Sequence, residues 1–298
     1  MRERELLAHI YERSKALADA HGVRVGPGDD AAVLEPPRHP IAVTVDQLIE
    51  GKHFERGTPV DLIARKAVGR SVSDAAAMVA RPWTALATAA VPPHFDEANA
   101  LFDAMARWAR AWGAPIVGGD IASTTGPLTL TVTVLATCET GPGPALRRNA
   151  KPGDGVYVTG RLGGSFASGR HLHVVPRVAE AIYLGRTLGD RLGAMIDVSD
   201  GLGLDTGRVA EASGVAIAID AERLPLHFDA DWRGALADGE DYELMFTARG
   251  AVSRIVPGLG TPISRIGEVT AGSGCGVRTP TGETIDASDL GFEHRSGS

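Results

Sequence analysis

The 298-residue sequence has few cysteines, few aromatic residues and no long apolar run. Its two cysteines, Cys138 and Cys275, give neither a disulfide framework nor the paired spacing of a zinc site, so we expect two reduced thiols. No apolar stretch approaches the length of a membrane span. The charged first residues, MRERELLAHIYERS, lack the apolar centre of a signal peptide and predict an amphipathic helix instead. These features favour a cytoplasmic protein without a membrane partner.

Lysine is scarce as well, and most basic side chains are arginines. The formal net charge is -7 and the sequence pI is about 5.7. No long basic run occurs, so a nucleic-acid partner is not favoured. An acidic protein that binds an anionic substrate needs metal ions or local arginines to attract it. Arginine suits this purpose because its planar guanidinium makes bidentate contacts with phosphate.

The familiar nucleotide-binding and covalent-catalysis motifs are also missing. The sequence contains no GxxxxGK[ST] pattern, and GRLGGS at 160–165 lacks the full Rossmann or kinase glycine pattern. No Ser-His-Asp arrangement or catalytic cysteine stands out. VGGD at 117–120 could bring backbone N–H groups near a phosphate, because glycine permits a close approach. The sequence therefore gives no reason to expect a covalent intermediate.

What is present is an ordinary globular composition, 44% hydrophobic and 22% charged, in a chain long enough for two domains. Strand-like and helical patterns are mixed along it. The Gly- and Pro-rich stretch 139–155 predicts a linker or a long functional loop. We therefore predict an α/β (α+β) protein with an N-terminal domain at 1–140 and a C-terminal domain at 141–298. Strands are predicted at 41–46, 83–91, 128–138, 156–160, 194–200, 214–220, 241–248 and 263–270, and helices at 61–80, 95–113, 175–189 and 202–212.

Aspartates recur beside glycine or serine, mostly after apolar runs, beginning with the adjacent pair Asp29 and Asp30 in VGPGDDAAVLEPP. Loops at strand ends are where sites are usually built. Mg²⁺ takes one or two carboxylates together with waters and phosphate oxygens, so several Mg²⁺ ions would scatter single aspartates over several loops. Each aspartate could equally be a turn former or a helix cap, and the residues alone leave both interpretations open.

Seven motifs, in this order, resemble the signature blocks of the thiamine-monophosphate kinase family: GPGDDAAVL, VTVDQLIEGKHF, ARKAVGRSVSDAAAMVARP, IVGGD, KPGDGVYVTG, IDVSDGLGLD and GEDYELMFT. The resemblance covers nearly the whole chain. It implies the two-domain fold of the aminoimidazole ribonucleotide synthetase superfamily, with an N-terminal mixed sheet carrying helices and a C-terminal α/β domain. It also implies a homodimer whose amino-terminal sheets join in a barrel. The implied reaction is phosphoryl transfer from ATP to thiamine monophosphate, assisted by several Mg²⁺ ions.

The same resemblance assigns roles to residues. The implied metal contacts are Asp30, Thr44, Asp46, Asp74, Asp120, Asp197 and Asp200, with Asp29 shaping the turn or acting one layer behind Asp30. The implied ATP contacts are Gly118, Gly119, Arg147 and Ser199, and the implied thiamine-phosphate contacts are His53, Glu240 and Phe292. No side chain is expected to act as a nucleophile or general base, because a substrate phosphate oxygen is already an anionic nucleophile.

The chain departs from the family pattern at Val45, where Thr is usual, at Ile121, where a hydroxyl residue is common, and in a shortened stretch at 161–175. A non-catalytic nucleotide- and metal-binding paralogue is therefore an alternative. Other enzymes of the superfamily fit less well. Selenophosphate synthetase needs a reactive cysteine near the amino terminus, whereas none precedes Cys138. The hydrogenase maturation factor needs a carboxyl-terminal cysteine, whereas this sequence ends FEHRSGS. GKHF and GEDYEL count against aminoimidazole ribonucleotide synthetase.

Overall fold

The computed structural model describes residues 3–17, 22–139 and 143–292. The chain divides into two compact units. The first comprises the described residues of 1–75, 80–139 and 172–176, and the second those of 76–79, 140–171 and 177–298. The predicted boundary, residue 140, lies outside the described residues.

The first unit is built on a four-stranded mixed sheet with helices. Its elements are α1 (Glu3–Ser14), β1 (Val23–Val25), β2 (Val33–Leu34), β3 (Ile41–Ile49), α2 (Val60–Ala77, whose last two residues belong to the second unit), β4 (Arg81–Val91), α3 (Ala98–Ala111), β5 (Ile116–Ser123) and β6 (Thr129–Thr137). The strand order is β3-β6-β4-β5, and only the β4–β5 pair is parallel. A separate small ribbon pairs β1 with β2.

The four-stranded sheet has a buried and an exposed face, because successive side chains of a strand point to opposite sides of the sheet. Leu130, Val132 and Val134 of β6 are buried. Helix α2 is anchored to this strand because the Ser71 hydroxyl donates to the Val132 carbonyl oxygen over 2.8 Å. On β3, by contrast, Val43 and Val45 are 65% and 60% exposed. The sheet therefore presents an uncovered apolar surface within this unit.

The second unit holds a seven-stranded sheet in the order β13-β12-β9-β11-β7-β10-β8. Its elements are β7 (Gly155–Thr159), α4 (Val178–Leu188), β8 (Leu192–Asp197), α5 (Leu202–Ser213), β9 (Ala216–Asp220), α6 (Trp232–Ala237), β10 (Leu244–Ala248), β11 (Ile263–Thr270), β12 (Gly274–Arg278) and β13 (Thr284–Asp286). Only β12 and β9 pair in parallel. Alternate residues of the central strands enter two separate apolar cores, for example Val156 and Val158 in one and Tyr157 in the other.

Two sequence expectations about local structure need correction. Asp46 and Asp120 are among the aspartates that follow apolar runs, and this pattern predicts that they lie where strands end. Instead, β3 continues to Ile49, and Asp120 lies inside β5, a strand that the sequence did not predict. The reason is that Gly118, Gly119 and Asp120 interrupt the middle of β5, so its sequence does not carry the β-branched, alternating signal of a strand. Within the described residues, none of the helices combines the length and apolarity needed to cross a bilayer.

Candidate active site

The Gly-Pro-Gly turn that carries the paired aspartates lies between β1 and β2. Asp29 and Asp30 are both exposed. The Asp29 carboxylate accepts the backbone N–H of Asp30 over 2.9 Å, so Asp29 is engaged in shaping the turn. The Asp30 side chain, which is the implied metal ligand, stands in solvent at the turn's surface.

Thr44, Asp46 and Asp74 are brought together where α2 crosses β3. The Thr44 hydroxyl donates to the Asp74 carboxylate. Thr44 and Asp46 are two residues apart on one strand and therefore share a face of the sheet. Arg70, one turn before Asp74 on α2, lies 3.4 Å from the Asp46 carboxylate. One hydroxyl and two carboxylates are hard oxygen donors of the kind that Mg²⁺ prefers. Across the described residues, no three His, Cys, Asp or Glu side chains lie close enough to hold a metal ion by themselves.

Asp120 is separated from this group within one chain. It lies on β5, at the edge of the sheet opposite β3, three strand spacings or roughly 14 Å away. The pairing Asp120–Thr88–Thr131–Gln47 runs across the sheet, so Asp120 shares a face with Gln47 and not with Asp46. A metal site that includes both aspartates stays a prediction, and one copy of the sheet does not bring them together.

One of the two glycines of VGGD has a structural reason to be glycine. Gly119 pairs with Ala87 of β4, and a Cβ at Gly119 would lie 1.7 Å from the Ala87 carbonyl oxygen. At Gly118 a Cβ would meet only the Leu86 side chain, at 3.2 Å. The close approach of β5 to β4 therefore accounts for Gly119 without any ligand, and the implied ATP contact of both glycines stays a prediction.

His53 is buried in a tight turn after β3. Its Nδ1 accepts the backbone N–H of Ile49 over 2.9 Å, which places the proton of the neutral ring on Nε2. The fully buried Lys66 donates to the His53 carbonyl oxygen over 2.7 Å. The imidazole is therefore held in one orientation and one tautomer.

In the second unit, five of the predicted residues gather around one turn. Asp197 ends β8, and Ser199 and Asp200 follow in the turn that leads to α5. The N–H of Glu240 donates to the Ser199 carbonyl oxygen over 2.7 Å, and the N–H of Phe292 donates to the Asp200 carbonyl oxygen over 2.8 Å. Residues implied for metal, ATP and thiamine phosphate are thus connected by backbone hydrogen bonds.

The buried carboxylate of Asp205 stabilises this turn. Asp205 Oδ2 accepts the N–H groups of both Ser199 and Asp200 over 3.0 Å. Arg208 donates to Asp205 over 2.7 Å and to Asp200 over 2.6 Å, so one guanidinium bridges the two carboxylates. Burial raises the pKa of Asp205 to about 6. The role of Asp205 and Arg208 was not predicted, although the i, i+3 spacing of a carboxylate and an arginine on a helix is a readable signal.

The Glu240 turn is conformationally unusual. Glu240 and Tyr242 have φ values of 59° and 53°, in the left-handed region that side chains other than glycine rarely adopt. The Tyr242 hydroxyl lies 3.4 Å from the Glu240 carboxylate, and His171 Nδ1 lies 3.9 Å from it. Phe166, which is 47% exposed, stacks on the buried His171 with 4.3 Å between ring centroids. These aromatic neighbours of Glu240 were also missed by sequence reasoning.

Asp241 lies between Glu240 and Tyr242, and its environment differs from that of Glu240. Its carboxylate accepts the N–H of Gly163 over 2.9 Å and lies 3.7 Å from the Arg170 guanidinium. Burial raises the pKa of Asp241 to about 7, and Glu243 and Asp238 add to the shift.

Elsewhere in this unit, Arg147 occupies an exposed 3₁₀ turn, and its carbonyl oxygen accepts a hydrogen bond from the Ser213 hydroxyl over 2.7 Å. Its side chain is open to solvent.

Comparison with known proteins places this fold in a class. Residues 28–138 match the family of AIR synthase related proteins, N-terminal domain. Thiamine-monophosphate kinases of Rhodopirellula baltica and Escherichia coli K12 are each 34% identical to this chain over 98% of its length, covering 97% and 98% of their own. The chain belongs to the thiamine-monophosphate kinase family, a family of enzymes.

Solved structures agree with this assignment. The thiamine-monophosphate kinase of Stenotrophomonas maltophilia K279a superposes with a TM-score of 0.79 at 30% identity, covering 96% of this chain and 98% of that one. AaThiL, solved in complex with AMPPCP and TMP, gives a TM-score of 0.73 at 28% identity, covering 96% of each chain. The hydrogenase maturation protein HypE of E. coli, at 19% identity and a TM-score of 0.77, shows the fold alone. The predicted fold class and family are confirmed.

Proposed function

We propose that the protein transfers the γ-phosphoryl group of ATP to thiamine monophosphate, giving thiamine diphosphate and ADP in thiamine biosynthesis. The observation that carries this proposal is the similarity, over nearly the full length, to several thiamine-monophosphate kinases. The complex of AaThiL with AMPPCP, an ATP analogue, and TMP supports it. We also propose a cytoplasmic location, which the sequence composition favours.

Transfer is proposed to be direct and in line. The phosphate of thiamine monophosphate carries its own anionic nucleophile, so the protein has to align two anions rather than activate a side chain. The Ser199 turn supports this role, since Asp205 and the Glu240 backbone fix its conformation by hydrogen bonds within the protein. A preorganised turn of this kind lowers the cost of orienting the phosphates.

The implied ligand set fits magnesium in its chemistry, because it consists of carboxylate and hydroxyl oxygens. We propose that the metal contacts are Asp30, Thr44, Asp46, Asp74, Asp120, Asp197 and Asp200. Bound Mg²⁺ would neutralise the negative charge that the two phosphate-bearing substrates bring together. Arg70 and Arg208 lie against Asp46 and Asp200, and their guanidinium groups partly balance the negative charge of these carboxylates.

Substrate contacts are proposed from the same resemblance. Gly118, Gly119, Arg147 and Ser199 would contact ATP, and His53, Glu240 and Phe292 would contact thiamine phosphate. The environment of Glu240 supports an orienting role, because its backbone is held in a left-handed conformation and its carboxylate lies near the Tyr242 hydroxyl. The fixed tautomer of His53 makes its Nε2 a hydrogen-bond donor.

We also propose that the protein is a homodimer formed through the exposed face of the four-stranded sheet. Ile41, Val43 and Val45 of β3 and Leu86 of β4 are between 39% and 65% exposed on this face. A contiguous exposed apolar surface is typical of an interaction site. A second copy is the partner that the family resemblance implies.

A steady-state assay tests the proposed activity. Purified protein with ATP, MgCl₂ and thiamine monophosphate should form thiamine diphosphate and ADP in equal amounts, measured by chromatography. Thiamine without its phosphate should not replace the acceptor, because the proposed nucleophile is absent. ATP binding without product formation would instead identify a non-catalytic paralogue.

A further inference from the structure

A second anion site is suggested by a cavity of about 600 Å³ in the second unit. Its walls come from β7 and β11, a 3₁₀ turn after β9, and the loop that follows β10. The lining residues are Tyr157, Arg223, Gly250, Ala251, Val252, Ser253, Arg254, Ile263, Ser264 and Arg265. Small-molecule sites are typically cavities of roughly 300–1,000 Å³, so the volume suits a metabolite.

The cavity lies across the sheet from the Ser199 turn, because two strands, β7 and β10, separate its lining strand β11 from β8. The cross-strand row from Ile196 of β8 through Met245 and Val158 reaches Ser264 of β11. These three strand spacings amount to roughly 14 Å. The lining contains none of the residues assigned to phosphoryl transfer in this unit.

The charge of the lining is positive. Three arginines contribute, while none of the described lining residues is Asp or Glu. Arg223 and Arg265 are 57% and 51% exposed, so their guanidinium groups are accessible to a ligand. This local excess of positive charge contrasts with the net charge of -7 of the whole chain.

The nearby carboxylates compensate this charge only in part. Arg223 lies 3.2 Å from Asp220, but the same carboxylate also accepts a hydrogen bond from Arg278. Arg265 lies 3.9 Å from Glu268, at the limit of an ion pair. One carboxylate shared between two guanidiniums leaves a net positive charge beside the cavity.

The loop is also held in place by an arginine that donates to backbone carbonyl oxygens. Arg191 donates to the carbonyl oxygen of Ala251, a lining residue, over 2.9 Å. Arg249 likewise donates to the Asp190 carbonyl oxygen over 2.8 Å. Carbonyl acceptors orient these guanidiniums without cancelling their charge, so both arginines add to the positive potential of a preformed wall.

We propose that this cavity binds a phosphorylated small molecule through Arg223, Arg254 and Arg265. Guanidinium groups recognise phosphate by paired, charge-assisted hydrogen bonds, and the Ser253 and Ser264 hydroxyls add neutral donors. Three guanidiniums match an anion with two phosphate groups better than a single phosphate. The site is independent of the proposed kinase activity, because it shares no residue with the ATP or thiamine-phosphate contacts.

Calorimetric titration with inorganic diphosphate in the presence of EDTA tests the proposal. EDTA removes divalent cations, and the negative charge of the aspartate-rich residues then disfavours diphosphate binding there. The wild-type protein should bind one diphosphate per chain. The double variant Arg254→Ala/Arg265→Ala should bind at least about tenfold more weakly, because two charged donors are lost. The corresponding Lys/Lys variant, which keeps the charge but loses the planar fork, should fall between them.

Two controls separate this site from its alternatives. Arg233→Ala removes an arginine that stacks on Trp232 and does not line the cavity, and its diphosphate affinity should equal that of wild type. Asp200→Asn should also bind normally, which distinguishes the cavity from the Ser199 turn. Absence of saturable binding to wild type, or equal affinities of wild type and the folded double Ala variant, would overturn the proposal. If the protein had no kinase activity, the diphosphate-binding results would still decide whether this cavity is an anion site.

Discussion

Asp74 is the residue on which the proposed metal chemistry depends most clearly, since it joins Thr44 of β3 to α2. Asp74→Asn removes a charge with little change in volume. We expect ATP affinity in the presence of Mg²⁺ to fall by at least about tenfold, since a charged oxygen ligand is lost. Calorimetry with ATP and MgCl₂ measures this. Asp61→Asn, which changes an exposed residue near the start of the same helix, is the matched control and should bind like wild type. Equal affinities for both variants would remove Asp74 from the ligand set.

Asp241 should make the free energy of unfolding depend on pH. Burial raises the pKa of Asp241 to about 7 in the folded protein, against 3.8 for an unperturbed aspartate. Between these values the folded chain holds a proton that the unfolded chain has released, so stability from this group is present below pH 3.8 and falls as pH rises towards 7. The total loss is of the order of 4 kcal/mol.

Asp241→Asn should therefore have a flatter stability profile than wild type between about pH 5 and pH 7. Urea unfolding at several pH values measures it. Asp229→Asn is the control, because Asp229 also lies 3.7 Å from Arg170 but is 57% exposed, and its profile should follow wild type. Parallel profiles for Asp241→Asn and wild type would show that the carboxyl group is ionised throughout this range.

In strand β5, Gly119 is required by the close packing of two strands rather than by a ligand. Gly119→Ala places a Cβ against the Ala87 backbone, so β4 and β5 must separate. We expect a loss of about 3 kcal/mol or more in the free energy of unfolding. Gly118→Ala meets only a flexible leucine end and should cost about 1 kcal/mol or less. Urea unfolding of the two variants compares them directly. Equal stabilities would mean that Gly119 is needed only for a ligand.

Elements with a strong pattern were predictable from sequence, and those with a weak pattern were not. Helix α3 was predicted at 95–113 and observed at Ala98–Ala111, because its apolar residues repeat with helical spacing and Gly113, at φ 78°, ends it. Strand β5 was missed because glycine and aspartate carry no strand signal. The contacts of Asp205 with Ser199 and Asp200 depend on a turn conformation that sequence spacing does not specify.

Across the whole molecule, the separation of Asp120 from Asp46 and the exposed apolar face both favour a second copy of the chain. Val43→Asp should shift the protein from dimer to monomer, because it would bury a charge in the proposed interface. The fold of the single chain should tolerate the change, since Val43 is 65% exposed there. Light scattering after size exclusion measures the mass. Phe228→Asp, at a fully exposed position of the second unit, is the control and should remain dimeric. A monomeric wild type, or a dimeric Val43→Asp variant, would reject this interface.

The most direct test of the proposed function is the stereochemical course of the reaction. ATP with a chiral γ-phosphate should yield thiamine diphosphate with inverted configuration, because direct transfer involves one in-line displacement. Initial-rate lines should also intersect when both substrates are varied. Net retention together with parallel lines, or isolation of a phosphorylated enzyme that converts thiamine monophosphate to product, would contradict direct transfer and require a side-chain nucleophile.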